Sequence, residues 1–180
     1  MADGVAGPLI RCLVAGVVVV GVAACTPGSR SAAPAPSVGA SPVPEDCARV
    51  IDAVAAPPDD YLVIGGDVAL PEEQLREASD QGGDDPSARW FTKFGLLVRA
   101  GAAVEVAVAP QWAGRAAVDW GPADGPVARI RVPACPARDP GRPWLVYAGG
   151  VWSGRPACVP VVVTTASTEA TVRYGLSQPC

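Results

Sequence analysis

Eighteen carboxylates, six cysteines, five tryptophans, one lysine and no histidine are the side chains on which any chemistry of this 180-residue chain must rest. The missing imidazole excludes Ser-His-Asp triads, Cys-His dyads, imidazole metal centres and histidine pH switches together. Lys93, the sole lysine, has no nucleophile motif near it, and no Ser-x-x-Lys spacing gives a serine its base. A glycosidase needs two carboxylates facing each other across a cleft, and no Asp/Glu pair is marked by its context. Asp80, Asp84 and Asp85 around Gly82-Gly83 could wrap a hard cation such as Ca²⁺, but the alternate acids and closing glutamate of an EF-hand are absent. That segment reads as an exposed loop. The expectation is a protein that is not an enzyme and carries no metal or cofactor.

The tryptophans are the better candidates for binding, since aromatic side chains on an exposed face grip sugar rings or partner proteins. Trp120 alternates with Val118 and Trp144 opens a strand, so both read as core. Trp112 in PQWAGR and Trp152 in GGVWSGRP sit in loop-like contexts and are the expected ligand contacts. Charge adds an exclusion: 14 basic against 18 acidic side chains, a net of −4, is the wrong balance for a nucleic-acid binder. The acids are concentrated, with nine against Arg76 alone in residues 59–85, whereas residues 86–180 hold ten bases and five acids. The simplest use of this asymmetry is an acidic loop region beside an arginine-bearing sheet face.

The elements that must position these residues begin after a leader. Leu13 to Ala24 is an unbroken apolar run of twelve following Arg11. A spanning helix needs roughly 20 apolar residues, and a run of about 7–15 is the core of a signal peptide. The run ends in Val22-Ala23-Ala24-Cys25, an aliphatic residue, two small residues and a cysteine, which resembles the lipobox of bacterial lipoproteins. The resemblance implies that residues 1–24 are removed by signal peptidase II. It also implies that the Cys25 thiol carries a diacylglycerol and that two acyl chains hold the mature protein to a membrane. Each buried CH₂ contributes about 0.8 kcal/mol, so one chain holds marginally and two hold stably. The competing reading is an ordinary secretory signal cut after Ala23 or Ala24.

Residues 25–45 follow as acylated N-terminus and linker. The stretch TPGSRSAAPAPSVGASPVP has no aromatic residue and one charge, Arg30. Such a composition cannot bury enough apolar area to offset its ordering entropy. Proline-rich chain extends by roughly 3.1 Å per residue, so this tether spans about 50–60 Å. Residues 46–180 are the domain.

Within the domain stand Cys47, Cys135, Cys158 and Cys180. An exported chain with four cysteines suggests two disulfides, with three connectivities open, and no CxxC spacing favours zinc instead. A hairpin turning in the polar segment ASTE brings Cys158 opposite Cys180, within reach of a disulfide. That leaves Cys47 with Cys135.

Alternation of apolar and polar residues dominates the rest. AAVEVAVAP, RAAVDWG, VARIRV and TVRYGL each put apolar residues on one face. KFGLLVRAG reads as a strand joined to AAVEVAVAP by a hairpin at Ala100-Gly101-Ala102. WLVYAGGVW reads as a strand pair or a strand kinked at Gly149-Gly150, and YLVIGGDVAL as strand with a bulge or turn at Gly65-Gly66. Asp46 could cap a short helix over DCARVIDAVA, and Pro71 could open one over PEEQLREAS. Eight or nine short antiparallel strands with turn signals at regular intervals predict an all-β fold, a single β-sandwich, with a small barrel as the alternative.

KFGLLVRAG followed by WLVYAGGVW, PACVPVVV and a terminal cysteine is similar to a group of uncharacterised exported lipoproteins of high-GC bacteria, over most of residues 90–180. The resemblance implies an exported, disulfide-bonded β-domain and no particular activity. The expected protein is an extracytoplasmic lipoprotein on the cell membrane, a non-catalytic binding module for a wall polymer, an envelope protein or a small ligand. An envelope glycan hydrolase using an Asp/Glu pair and a structural or assembly accessory are the alternatives.

Overall fold

The computed structural model describes residues 43–44, 46–72, 75–121 and 125–180. The leader 1–24, Cys25 and all of the linker except Val43–Pro44 lie outside the described residues. The strands in chain order are β1 (Val43–Pro44), β2 (Asp52–Val54), β3 (Tyr61–Ile64), β4 (Val68–Pro71), β5 (Leu75–Arg76), β6 (Ser79–Asp80) and β7 (Trp90–Arg99). They continue as β8 (Val104–Val108), β9 (Ala116–Asp119), β10 (Arg129–Val132), β11 (Trp144–Ser153), β12 (Ala157–Thr164) and β13 (Glu169–Leu176). Six form one sheet in the order β1-β10-β8-β12-β13-β5. The other sheet runs β2-β11-β7-β4-β3, with β6 added beside β7 and β9 beside β11. The fold is all-β, a sandwich of two sheets.

The sandwich follows from the alternation. Val104, Val106 and Val108 of β8, Ile130 and Val132 of β10, and Val159, Val161 and Val163 of β12 are buried from one side. Phe94, Leu96 and Val98 of β7 and Leu145, Tyr147 and Val151 of β11 meet them from the other. Burying each such side chain contributes roughly 1.5–3 kcal/mol. On the outer face of the six-stranded sheet, Glu105 pairs with Arg129 at 3.3 Å and Arg131 at 3.5 Å. Arg129 and Arg131 are therefore matched by a neighbour in the sheet, whereas Asp80 of the acidic segment pairs with Arg89.

Several local expectations are corrected. β7 and β8 do not form a hairpin, because they belong to different sheets. Both carry an apolar row, and each row is buried by facing the other across the core; alternation alone does not say which sheet a strand joins. Residues 100–103 are the arch between them, held by the Ala100 N–H on the Pro143 carbonyl (2.8 Å) and the Gly101 N–H on the Cys135 carbonyl (2.7 Å). WLVYAGGVW is one uninterrupted strand, paired with β7 along ten residues. Its glycines mark close approaches and not a break: a Cβ on Gly149 would collide with the Asp119 carbonyl, and one on Gly150 with the Thr92 carbonyl.

Among the described residues of PEEQLREAS there is no helix. Pro71 ends β4, and Leu75–Arg76 pair in parallel with Gly175–Leu176 of β13. A helix of so few residues is marginal by itself, and an open sheet edge offers its backbone ready partners. Asp46 does cap, accepting from the Ala48 N–H at 3.0 Å, but the element is a single 3₁₀ turn over Cys47–Arg49 before β2 begins. Val43–Pro44, assigned to the linker by composition, pair in parallel with Ile130–Arg131.

Candidate functional site

The two longest strands, β7 and β11, lie side by side in the seven-stranded sheet, and their outward residues form a row of cross-strand pairs. From one end these are Phe91 with Trp152, Lys93 with Gly150, Gly95 with Ala148, Leu97 with Val146 and Arg99 with Trp144. Each end of the row is aromatic. Phe91 stacks on Trp152 with ring centroids 4.4 Å apart, and the Arg99 guanidinium lies 4.8 Å over the Trp144 ring. The middle of the row is glycine and alanine. Directly opposed side chains are what fill a sheet face, so this face sinks between its two ends.

The hollow becomes a trough because other elements wall it. Ile51 and Val54 border it on the β11 side and Tyr61 on the β7 side, and Ala56 to Pro58 lead from one to the other, the Pro58 carbonyl accepting from the Tyr61 N–H at 3.0 Å; together they enclose about 500 Å³ open to solvent. That volume lies in the range of small-molecule sites, roughly 300–1,000 Å³. Its floor is continuous with a second, small apolar cluster outside the main core, where Ala69, Leu97 and Trp144 are buried and Val54, Tyr61 and Val146 pack against them. Ile51, 64% exposed, stands on the rim.

Three polar side chains border the trough. Burial pushes the Tyr61 phenol up from its ordinary pKa of 10.0; a hydrogen bond with the Gly95 backbone and the nearby Arg76 charge oppose that shift without reversing it. The hydroxyl is therefore neutral at ordinary pH and held at the floor. Asp52 is engaged by Arg142 at 2.9 Å. Lys93 is exposed at the Phe91–Trp152 end and takes part in none of the ion pairs among the described residues. Its cross-strand neighbour is Gly150, which offers it no side chain.

The residues singled out by sequence are distributed as follows. Cys47–Cys135 and Cys158–Cys180 are bonded, with Cα atoms 5.5 and 4.9 Å apart. The second pairing arises by a different geometry from the one expected. Cys158 stands opposite Gly175, not Cys180, because the hairpin turns between Thr164 and Glu169. The chain then reverses after Leu176 through Ser177, at a φ of 50°. Gly175 leaves room for the returning Gln178 carbonyl.

Trp112 and Trp152 are both half-buried and are not brought together. Trp152 lies on the outer face of the seven-stranded sheet. Trp112 closes the 3₁₀ turn Pro110–Trp112 beside the six-stranded sheet, under the Arg115 guanidinium at 5.0 Å. It lines a second hollow, of about 540 Å³, with Pro160, Val162, Thr171 and Arg173. In the acidic segment, Asp80 forms a two-pronged bond with Arg89, which holds its carboxyl below the usual range, and Asp85 accepts from the Ser87 N–H and hydroxyl. Among the described residues no three acids or cysteines group as a metal site would require.

Sequence reasoning missed Tyr61, Lys93, Gly95 and Ala148 as a group. The signal present was the outward series Phe91, Lys93, Gly95, Leu97 in β7, with a small residue where a large one is usual. Its meaning depends on Ala148 standing opposite, and that register joins positions 53 residues apart. Comparison with known proteins finds no matching family model, no similar curated protein and no similar solved structure.

Proposed function

We propose that this chain is a membrane-anchored extracytoplasmic lipoprotein whose β-sandwich is a non-catalytic binding module, with the trough over Gly95 and Ala148 as its ligand site. The observation that carries the reading is that trough: an apolar floor in the middle of the two longest strands, walled on both sides, with few polar groups at its border. Sites for small ligands have this make-up. The anchor rests on the Val22-Ala23-Ala24-Cys25 sequence. Two disulfides in a domain of this size favour an oxidising compartment.

Binding is favoured over hydrolysis by the chemistry of the border. A glycosidase works with two carboxylates about 5–10 Å apart. Asp52 is the one carboxylate lining the trough among the described residues, and it is committed to Arg142. A sugar polymer is disfavoured because Trp112 and Trp152 present no common platform.

The test is native mass spectrometry of the protein purified from detergent-solubilised membranes, alongside an Ala148→Trp variant that fills the trough. The expected result is a diacylated N-terminal Cys25 in both and a bound small molecule in the unaltered protein alone. Recovery from the cytosol with Met1 retained overturns the anchor; identical ligand-free spectra for both overturn the site.

A further inference from the structure

We infer that the trough takes a single-chain anionic amphiphile, its acidic head at Lys93 and its apolar chain along the floor toward Leu97 and Val146; this rests on the trough being the ligand site. The floor is graded along its length. At one end stands Lys93, and in the middle the Tyr61 hydroxyl is hydrogen-bonded with the Gly95 backbone. At the other stand Leu97, Val146, Val54 and Ile51; Asp52, opposite Val146, is the one charged side chain lining that end among the described residues, and its carboxylate is engaged by Arg142 at 2.9 Å. From Lys93 to Leu97 is four residues of extended strand, about 13 Å, a length suited to an acyl chain of intermediate size lying along the groove.

The cation is available to a ligand. Lys93 opposes a glycine in β11, and the next residue in the same ladder row, Asp119 of β9, accepts from the Gly121 N–H and forms no ion pair with it. Lysine offers a flexible point charge with three donors and suits a carboxylate or a phosphate equally. The shared chemistry is therefore an anionic head on an apolar chain. A neutral amphiphile would leave the lysine unused, and a small anion would gain nothing from the floor.

Isothermal titration calorimetry on the full chain, disulfides intact and carrying Cys25→Ser so that no acyl group of its own competes, separates the possibilities. The probes are monomeric dodecanoate, dodecyl phosphate, dodecanol, acetate and phosphatidylglycerol vesicles. Both anionic amphiphiles are expected to bind with a stoichiometry of one, acetate not at all, and dodecanol more weakly. Lys93→Gln should weaken the anionic amphiphiles about tenfold or more, the size of a charged hydrogen bond, and leave dodecanol unchanged. Lys93→Arg should retain most of the affinity. Equal binding of dodecanol and dodecanoate, indifferent to Lys93→Gln, overturns the anionic head while the trough stands. No binding of any single-chain probe overturns the trough as well. Binding to vesicles without binding to monomers makes this face a membrane-docking surface and overturns the inference.

Discussion

Gly95 and Ala148 stand directly opposite each other in the β7–β11 ladder, both facing away from the core. At that pair the outer face of the seven-stranded sheet has no side chain longer than a methyl group. A Cβ built on Gly95 meets Leu97, Val146 and the Tyr61 hydroxyl at 3.6 Å, ordinary contact distance. Gly149, one residue from Ala148, has the opposite surroundings: its Cβ would enter the Asp119 backbone. Two glycines in adjacent strands are thus kept for different reasons, one leaving a cavity and one admitting a neighbouring chain.

This contrast fixes the first prediction. Gly95→Ala is expected to be neutral or stabilising by about 0.4–1 kcal/mol, since the backbone is already extended and glycine loses more entropy on folding. Gly149→Ala is expected to cost about 1–3 kcal/mol or more, because backbone must move. Urea denaturation of the two variants checks it. Equal destabilisation would mean that the floor at Gly95 is already packed.

The strands and their inward residues were legible because burial on one face imposes a period of two, as in Val104, Val106 and Val108. Sheet membership was not legible. The arch at residues 100–103 and a hairpin there use the same small residues, and only the partners decide: β8 is flanked by β10 and β12, which lie later in the chain. The same limit hid the trough, since Gly95 acquires meaning from Ala148, and Tyr61 reaches Gly95 from another strand. The disulfide pairing was legible for a coarser reason, that a β12–β13 hairpin places its ends together even when the residues opposite are Cys158 and Gly175.

The two disulfides should differ in their effect on stability. Cys47–Cys135 closes 88 residues and Cys158–Cys180 closes 22, so chain-entropy estimates are about 4–5 and about 3 kcal/mol. Cys135 is also buried, accepting from the Tyr147 hydroxyl at 3.4 Å. Replacing Cys47 and Cys135 together by alanine is expected to lower the Tm further than replacing Cys158 and Cys180. Thermal unfolding followed by circular dichroism checks the order, and a reversed order would show that the C-terminal bridge secures more than its own hairpin.

Two indoles offer a matched pair of substitutions. Trp120 is fully buried and donates its Nε1–H to the Phe94 carbonyl at 3.0 Å, tying the end of β9 to the middle of β7. The Trp152 Nε1–H is enclosed with no acceptor among the described residues, although its ring is stacked on Phe91. Trp120→Phe removes a used donor and leaves a buried carbonyl unpaired, for a cost of about 2–4 kcal/mol. Trp152→Phe removes an unused donor and keeps an aromatic ring on Phe91, so its cost should stay below about 1 kcal/mol. Denaturant midpoints of the two variants test this, and a larger loss at Trp152 would reveal an acceptor for its indole.

Alkaline stability is governed by the tyrosines. Burial raises the pKa of Tyr61, and more strongly that of Tyr174, whose hydroxyl donates to the Pro71 carbonyl at 3.1 Å inside the sandwich. Folding therefore favours the protonated phenol. The stabilisation is fully present below the unfolded value, about 10. It is lost as pH rises beyond that toward the folded values, because the unfolded chain gives up these protons first. A spectrophotometric titration of phenolate absorbance is expected to show Tyr174 ionising only together with loss of tertiary structure. Tyr174→Phe should abolish that late component while sacrificing the Pro71 bond, which leaves a less stable protein at neutral pH with a flatter decline above pH 10 or so. Independent ionisation of all tyrosines near pH 10 in the folded protein would place Tyr174 in contact with water and contradict its position beneath β4.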